Sequence, residues 1–521
     1  MLFNSIDFLI FFPIVLLVYY VIPDKIKYLW LLVASYYFYM CWNAKYALLI
    51  LTSTVITYLS GILIDAIKNG KIFGLCDSLS LNGASAENAQ DNQEAVEEVK
   101  THLKKIVVAI SFLSNIGILF YFKYTGFACN LLADVFSRFN VQLNLPEFDI
   151  ILPVGISFYT FQALSYTMDV YRGEIYAEKN FFRYALFVSF FPQLVAGPIE
   201  RSKNLLKQLA VPQKFNYEKA KEGLILMLWG YFLKLVLADR ISIFVDTVYG
   251  DTETYPGYFL LLATVLFAVQ IYCDFAGYST IAVGSAKILG VELMKNFNAP
   301  YLSTSVAEFW RRWHISLTSW FKDYLYIPLG GSRKGKVRKY INKIIVFLVS
   351  GLWHGADLSY VVWGGINGVY QVIGEILQPL RNRGVKLLGL NRESMGHKLV
   401  HMIGTFVLID FTWIFFRASN IGQALEVIKS IFIVHNPWVL FDGSIYECGL
   451  DIKNFWLMLY CILILLIADC CKRKRVVISD IILKQDYWFR ILFVSGTVLF
   501  ILLFGKWGPT FDQASFIYFQ F

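Results

Sequence analysis

The sequence predicts an all-α membrane protein that crosses the bilayer many times. Of its 521 residues, 57% are hydrophobic and only 16% are charged, and the apolar residues stand in long uncharged blocks. A typical soluble domain has about 25% charged residues, so this chain has too few charges to cover a water-facing surface of its size. Helices of about 20 apolar residues are long enough to cross a hydrocarbon core of about 30 Å.

Twelve apolar blocks predict a polytopic helical bundle with about twelve spans. They lie at residues 6–23, 28–44, 46–64, 106–122, 150–168, 223–248, 257–277, 341–357, 359–378, 400–416, 455–471 and 488–505. Basic loops follow the first, fifth, seventh, ninth and eleventh spans, whereas the loop at residues 250–257 is acidic. Under the positive-inside rule, this pattern places the basic loops in the cytoplasm and both termini outside.

One further apolar block interrupts this alternation. Residues 184–199 are uncharged, yet Arg183 precedes them and Arg201 follows them. If this block crossed the bilayer, every later loop would carry the wrong charge for its side. Its prolines and glycine predict irregular backbone, which membranes tolerate only where it is buried in protein or lines a cavity. We therefore expect a re-entrant segment that enters and leaves on the cytoplasmic face.

The domain organisation is predicted to be one membrane-embedded domain over residues 1–521, with a polar cytoplasmic insertion at residues 65–105. The net charge of +9 comes from short basic runs between apolar blocks, which is typical of cytoplasmic loops and does not indicate nucleic acid. No metal-ligand motif is evident. His397 and His401 have the spacing of a metal pair but lack a third ligand, so we interpret them as polar residues at a helix start.

His354 is the first candidate for chemistry. It lies in SGLWHGA (residues 350–356), at the end of an apolar helix, between Gly351 and Gly355, which allow close backbone approach. An ionisable side chain at membrane depth is costly and is usually functional. A buried imidazole stays neutral and can accept a proton from a hydroxyl, which suits attack of an alcohol on an activated acyl carbon. The alternative is a neutral histidine that only stabilises the packing of neighbouring helices.

His314 is the second candidate, and it lies in EFWRRWHISLT (residues 308–318). We expect this stretch to be one helix, since Ser305 and Glu308 form a capping-box pattern at its start. Arg311 and Arg312 are too many charges for a lipid-facing crossing, so an interfacial or re-entrant helix fits better.

Other polar residues give weaker predictions. The loop GGSRKGK (residues 330–336) superficially matches a phosphate-binding loop, but Val337 replaces the required Ser or Thr, which excludes a nucleoside triphosphatase. Its Arg333 and Lys334 are left to meet lipid headgroups or the phosphates of a substrate. Asp274 and Lys234 interrupt apolar blocks, and we expect a buried ion pair or, for Lys234, snorkelling.

The chain resembles the membrane-bound O-acyltransferases, and within them the alginate O-acetyltransferase branch of bacterial polysaccharide-modifying enzymes. The resemblance covers essentially the whole chain and is densest over residues 150–370, the expected catalytic core region. The matching motifs are LPVGISF (residues 152–158), FPQLVAGPI (191–199), residues 270–279, residues 308–331, GLWHGA (351–356) and FIYFQF (516–521).

The resemblance implies a helical bundle with a central funnel and tunnel in a bacterial cell membrane. His354 matches the family's catalytic histidine, and His314 matches a second characteristic position. The expected donor is cytoplasmic acetyl-CoA, with its phosphates near Arg311, Arg312, Arg333 or Lys334, and no metal is expected. The expected acceptor is a hydroxyl of an extracytoplasmic polysaccharide or of a secreted relay partner.

Three alternatives stay open at this point, the third being a catalytically inactive scaffold with the same fold. The first is D-alanyl transfer to teichoic acid from a carrier protein, which has similar chemistry but a different donor. The second is a transporter without bond chemistry, in which Asp274 and Lys234 are coupling residues. The chain shows no internal repeat of the kind that many transporters contain, which argues against the second.

Overall fold

Eleven of the twelve predicted spans each overlap mainly with one α-helix of the described residues, and the span at residues 223–248 falls on two α-helices joined by a π-helical turn. The computed structural model describes residues 1–70, 86–142, 152–507 and 517, and these residues form helices and no strand. Six of the described helices are long and apolar enough to cross a membrane by length and composition. The all-α membrane fold is therefore confirmed. Parts of the insertion at residues 65–105, of the span at 150–168 and of the motif at 516–521 lie outside the described residues.

The chain divides into two units. The first comprises Met1 with residues 5–215 and 289–293, and the second comprises residues 2–4, 216–288 and 294–521. The helices of the first unit are α1 (Ile6–Val21), α2 (Lys27–Met40), α3 (Ala47–Lys68), α4 (Ala86–Ser137), α5 (Ile156–Arg172), α6 (Phe181–Ser189), α7 (Phe191–Leu194) and α8 (Ser202–Leu209).

Polar contacts join the apolar helices of the first unit. The Ser111 hydroxyl of α4 lies 3.3 Å from that of Thr167 in α5, and the Tyr184 hydroxyl of α6 donates to Thr57 of α3 at 2.7 Å. All four residues are buried. Buried hydroxyls that find partners on other helices avoid the cost of unmet polar groups and fix the register of the helices.

The segment predicted to be re-entrant is buried and irregular. Helix α6 has nine residues and rises only about 13 Å, less than half of the hydrocarbon thickness. The Phe187 carbonyl near its end accepts from the side-chain amides of Gln162 and Gln193, at 2.6 and 3.1 Å. The Phe191 N–H, where α7 begins, donates to the Ser35 hydroxyl at 3.1 Å. These contacts satisfy backbone groups inside the protein, as the re-entrant interpretation requires.

The second unit contains the remaining helices. In chain order they are α9 (Tyr217–Tyr231), α10 (Asp239–Gly250), α11 (Tyr258–Ile288), α12 (Val306–Arg312), α13 (Ile315–Phe321), α14 (Gly335–His354), α15 (Leu358–Ile376), α16 (Gln378–Leu387), α17 (Met395–Arg417), α18 (Ile421–Ile433), α19 (Ile452–Arg473), α20 (Ile478–Leu483) and α21 (Tyr487–Phe504). A π-helical turn, Phe232–Ala238, joins α9 to α10, and another, Lys322–Tyr326, follows α13.

A buried ion-pair cluster links the π-helical turn to α11. The Lys234 ammonium lies 2.7 Å from the Asp239 carboxylate and 2.6 Å from that of Asp274. The predicted burial of Lys234 and Asp274 in an ion pair is confirmed, and the snorkelling interpretation is wrong because the Lys234 side chain is only 1% exposed. The Ile517 N–H also donates to Asp274 at 2.8 Å.

Candidate functional site

The stretch around His314 is not one helix, and the prediction of a continuous helix over residues 308–318 is wrong. Helix α12 ends at Arg312, Trp313 is extended, and His314 has a φ of +42° before α13 begins. A continuous helix would place His314 on one face with Trp310 and Arg311, and the break removes that arrangement. The predicted start is correct, because the Ser305 hydroxyl accepts from the Glu308 N–H at 3.2 Å.

The physical reason for the break is a second segment of chain that replaces the missing helical hydrogen bonds. The Asn298 N–H donates to the Arg312 carbonyl at 3.0 Å, and the Ile315 N–H donates to the Asn296 carbonyl at 2.9 Å. A left-handed conformation is unfavourable for a residue with a side chain. It persists at His314 because backbone bonds hold the chain on both sides of it.

Asn296 is the central contact of this clamp. Its side-chain oxygen accepts from the Ser316 hydroxyl at 2.6 Å and lies 3.3 Å from the Ser316 N–H, and its side-chain amide donates to the Ser279 hydroxyl at 3.0 Å. Asn296 is buried, and these bonds connect the turn at His314 to α11. No motif in the sequence predicts a role for Asn296. Its position in a loop 18 residues before His314 carries no local pattern that would have identified it.

His354 is the last residue of α14, as predicted. Its Nδ1 lies 2.6 Å from the Ser350 carbonyl oxygen of the same helix. A carbonyl oxygen can only accept a hydrogen bond, so Nδ1 carries the proton and Nε2 of the neutral ring holds a lone pair. The flanking glycines are needed for packing, because a Cβ on Gly355 would lie 2.1 Å from the Tyr360 ring and one on Gly351 2.2 Å from the Tyr360 carbonyl oxygen.

The structure places both histidines beside the same tryptophan, Trp353. The Trp353 ring centroid lies 6.0 Å from that of His314 and 4.9 Å from that of His354. The rest of the surroundings is aromatic, with Phe275 at 4.6 Å from His314 and Trp363 at 4.9 Å from His354. His314 is 1% exposed and His354 is 3% exposed, so both rings lie in a buried apolar site.

The proton on His314 is on the other ring nitrogen. The Leu317 N–H donates to Nδ1 of His314 at 3.3 Å, so the neutral ring carries its proton on Nε2. Burial lowers the pKa of His314 well below its usual value of 6.5, and the neighbouring His354 ring lowers that pKa further. The site therefore combines one neutral imidazole whose Nε2 can accept a proton with one whose Nε2–H can donate a hydrogen bond.

The four predicted basic residues have different settings. Arg312 is engaged within the turn, where it donates to the Glu308 carboxylate and to the Asn298 carbonyl, both at 3.0 Å. Arg311, Arg333 and Lys334 are exposed. The last two precede α14, a helix of 20 residues whose ends are about 28 Å apart and whose other end is His354.

The histidine pair at the start of α17 is separate from these contacts. The ring centroids of His397 and His401 are 4.4 Å apart, and the His397 N–H donates to the hydroxyl of Ser394, the residue that caps the helix. This confirms their interpretation as residues at a helix start. Among the described residues, no group of three or more His, Cys, Asp or Glu side chains is arranged to hold a metal ion.

Comparison with known proteins decides the family. Residues 177–383, which include both buried histidines, match the model of the membrane-bound O-acyltransferase family. The chain is 34% identical over 433 residues to a protein of Pseudomonas aeruginosa named "Probable alginate O-acetylase AlgI", and the match covers 83% of this chain and 75% of that protein. The chain belongs to the membrane-bound O-acyltransferase family. It is therefore an acyltransferase and a multi-pass membrane protein, which confirms the predicted family and enzyme class.

Two other relatives of this O-acyltransferase have different named activities. A peptidoglycan O-acetyltransferase of Helicobacter pylori is 30% identical over 465 residues, covering 83% of this chain and 80% of the relative. A teichoic acid D-alanyltransferase of Bacillus subtilis is 26% identical over 292 residues, covering 53% of this chain and 72% of the relative. Both transfer activities belong to enzymes, so the family does not favour the alternative of a transporter without bond chemistry.

Proposed function

We propose that this O-acyltransferase moves an acetyl group from acetyl-CoA, on the cytoplasmic side of a bacterial cell membrane, to a hydroxyl outside. The acceptor is an extracytoplasmic polysaccharide or a secreted relay partner. The identity to the two relatives named for O-acetyl transfer extends over 83% of the chain in each case, which favours acetyl over D-alanyl transfer. The observation that carries the proposal is the pair of buried histidines whose protons lie on opposite ring nitrogens.

In this mechanism, His354 is the general base. Its Nδ1–H is held by the Ser350 carbonyl, which orients the ring and leaves Nε2 to take the proton of the acceptor hydroxyl. The acceptor oxygen attacks the carbonyl carbon of the thioester, so a C–O bond forms and the C–S bond breaks. The proton taken up by His354 then passes to the departing thiolate, which leaves as the free thiol of coenzyme A.

His314 stabilises the charge that develops during this attack. Negative charge accumulates on the thioester carbonyl oxygen, and an Nε2–H in a buried site is a strong donor to such an oxygen. The lowered pKa of His314 keeps its ring neutral near pH 7, so that the ring donates a hydrogen bond without giving up a proton. The aromatic surroundings exclude water, which strengthens this interaction and limits hydrolysis of the thioester.

The phosphates of the donor require cations at the cytoplasmic face, and Arg311, Arg333 and Lys334 are the exposed ones among the four predicted. Arg312 is a weaker choice because Glu308 already neutralises it. We expect the double variant Arg333→Gln, Lys334→Gln to raise the KM for acetyl-CoA several-fold. Its kcat should be unchanged, because the two residues precede α14 and His354 lies at the opposite end of that helix.

The experiment that tests the function is acetyl transfer by the purified full chain in lipid nanodiscs with labelled acetyl-CoA. His354→Ala should abolish transfer to added polysaccharide or partner while the variant still inserts and elutes like wild type. The matched control is His435→Ala, because His435 is exposed and lies outside the site. Wild-type transfer by His354→Ala would overturn the assignment of His354 as the base.

D-alanyl transfer is the second candidate, and the match to the teichoic acid D-alanyltransferase favours it. The two donors differ in size, since a carrier protein needs a docking surface where coenzyme A needs only a phosphate site. Parallel assays with labelled acetyl-CoA and with a D-alanyl-charged carrier protein separate the candidates. Transfer from the carrier alone would replace acetyl transfer by D-alanyl transfer.

A further inference from the structure

Trp363 is a buried indole beside the proposed base. It lies in α15 and is 1% exposed, and its ring centroid is 4.9 Å from that of His354. The two ring planes meet at 70°, so the edge of one ring faces the plane of the other. The reaction proposed above gives this tryptophan no step, although it is a direct neighbour of the group that takes the proton.

The indole N–H of Trp363 is an unpaired donor. Its Nε1 is buried and has no hydrogen-bond partner among the described residues. Besides His354, the rings of Phe416, Trp310 and Trp413 pack around it, with centroids at 5.2, 5.7 and 5.8 Å. A buried donor without a partner lowers stability, so each such group in a native protein calls for an explanation.

A neighbouring tryptophan shows that the fold can satisfy an indole in these surroundings. Trp310 of α12 is also buried, and its Nε1 donates to the Asn367 side-chain oxygen at 3.2 Å. Asn367 lies one turn after Trp363 in α15, and its side-chain amide donates to the Trp363 carbonyl at 2.9 Å. The amide oxygen closest along this helix is therefore used by Trp310, and the N–H without a partner belongs to the ring beside His354.

The acceptor of the proposed reaction brings the kind of atom that this donor lacks. An indole N–H can only donate, so its partner must be an acceptor such as a hydroxyl oxygen. An oxygen hydrogen-bonded to two nitrogens lies about 2.9 Å from each, so the nitrogens are at most about 6 Å apart. Rings with centroids 4.9 Å apart are close enough to share one oxygen in this way. His354 is itself only 3% exposed, so an acceptor that enters this closed site and reaches its Nε2 also lies beside Trp363.

We propose that the Trp363 N–H donates a hydrogen bond to the oxygen of the acceptor hydroxyl. This inference rests on the proposed function and adds a substrate-binding residue to it. One lone pair of the hydroxyl oxygen accepts from Nε1 of Trp363, and the O–H points to Nε2 of His354. The second lone pair is left to attack the thioester carbon. The donor thus orients the acceptor, and its lack of a partner ends when the acceptor binds.

The test removes the N–H and keeps the shape of the ring. Benzothienylalanine, in which sulfur takes the place of the indole N–H, is incorporated at Trp363 and, as the matched control, at Trp310. The full chain in nanodiscs then transfers labelled acetyl groups from acetyl-CoA to alginate oligosaccharide, the polymer named for the Pseudomonas aeruginosa relative. At Trp363 we expect the KM for the oligosaccharide to rise about five- to tenfold, the contribution of one neutral hydrogen bond. The KM for acetyl-CoA and kcat should not change, because this bond is present before and during attack.

Thermal stability without substrate separates a substrate-binding role from a structural one. The replacement at Trp363 should leave the midpoint of unfolding at least as high as in wild type, because it removes a donor that is unpaired. The same replacement at Trp310 should lower the midpoint, because Asn367 loses its donor, and should leave the oligosaccharide KM unchanged. Trp363→Phe and Trp310→Phe remove equal volumes, so the difference between them gives the same comparison by ordinary mutagenesis.

Three results would overturn the inference while the enzyme stays active. One is a wild-type KM for the oligosaccharide without the Trp363 N–H. Another is a loss of kcat with both KM values unchanged, which would place the donor at the thioester carbonyl instead. The third is a midpoint that falls as much at Trp363 as at Trp310, which would show that the protein already satisfies this N–H. Absence of acetyl transfer by wild type is distinct from these, since it would contradict the proposed function and the inference together.

Discussion

The two buried histidines both lie beside Trp353, but different structural elements hold them there. His354 is the last residue of a regular helix, and the backbone carbonyl of Ser350 in the same helix orients its ring. His314 lies in a left-handed turn between two short helices, and side chains and backbone from residues 296–298 hold that turn. The orientation of His354 is thus determined within one helix and requires no unfavourable backbone conformation. The orientation of His314 depends on contacts with residues that are distant in sequence. A site built in this way should respond unequally to equal changes at its two halves.

The sharpest test of this comparison makes the same replacement at both positions. His354→Asn removes the base and should lower kcat by about 10² to 10⁴-fold. His314→Asn should lower it by only about tenfold, because an amide still donates a hydrogen bond and Asn tolerates a positive φ. The measurement is the rate of labelled acetyl transfer in nanodiscs at saturating donor. Equal losses would show that the two rings do not have the separate roles proposed.

The next largest effect is expected at the clamp. Asn296→Ala removes the hydrogen bonds to the buried hydroxyls of Ser279 and Ser316, and the loss of a partner for a buried polar group costs about 1–3 kcal/mol. The turn at His314 should relax, and kcat should fall about tenfold. Ser350→Ala is the matched change beside His354, and it should leave kcat unchanged because the oxygen that orients His354 belongs to the backbone. A loss at Ser350 as large as that at Asn296 would contradict the comparison.

A packing change is expected to affect the His354 half alone. A methyl group on Gly355 would overlap the Tyr360 ring, so Gly355→Ala should destabilise the protein by about 1–3 kcal/mol. The measurement is the thermal midpoint of unfolding in detergent. Gly374→Ala is the control, because a Cβ there meets no atom within 4 Å. An unchanged midpoint for Gly355→Ala would show that the backbone around His354 is not tightly packed.

The smallest effect is a pH dependence that arises from His314. Its pKa in the folded protein lies well below 6.5, so at acid pH the unfolded chain binds the proton that the buried ring does not. Stability should therefore fall as the pH drops below about 6.5, by at most about 1.4 kcal/mol per pH unit. His314→Asn should reduce the difference between thermal midpoints at pH 7.5 and 5.5, whereas His435→Asn should not. A difference that His314→Asn leaves unchanged would exclude this origin.

The sequence predicted those features that local pattern determines. The apolar blocks predicted the positions of the helices, because a backbone that crosses lipid must form its hydrogen bonds within the protein, as a helix does. His354 was placed correctly at a helix end, since the apolar run stops there and Gly355 follows. The ion pair of Lys234 was also predictable, because a buried charge in an apolar block requires a partner.

The setting of His314 was not predictable by the same reasoning. Residues 308–318 have good helical pattern and a correct cap at Ser305, and nothing in them signals a break. The break depends on two backbone hydrogen bonds. The Asn298 N–H donates to the Arg312 carbonyl, and the Asn296 carbonyl accepts from the Ile315 N–H. Such contacts join residues that are distant in sequence, and tertiary contacts routinely override local propensity.

The buried segment formed by α6 and α7 has a consequence for how the protein is made. Its backbone groups are satisfied by Ser35 of α2 and Gln162 of α5, both of which leave the ribosome earlier. A nine-residue helix is too short to be inserted as a span of its own, so it must dock onto helices that are already in the bilayer. The order of synthesis therefore matches the order of assembly, since the helices that carry Ser35 and Gln162 are synthesised before this segment emerges from the ribosome.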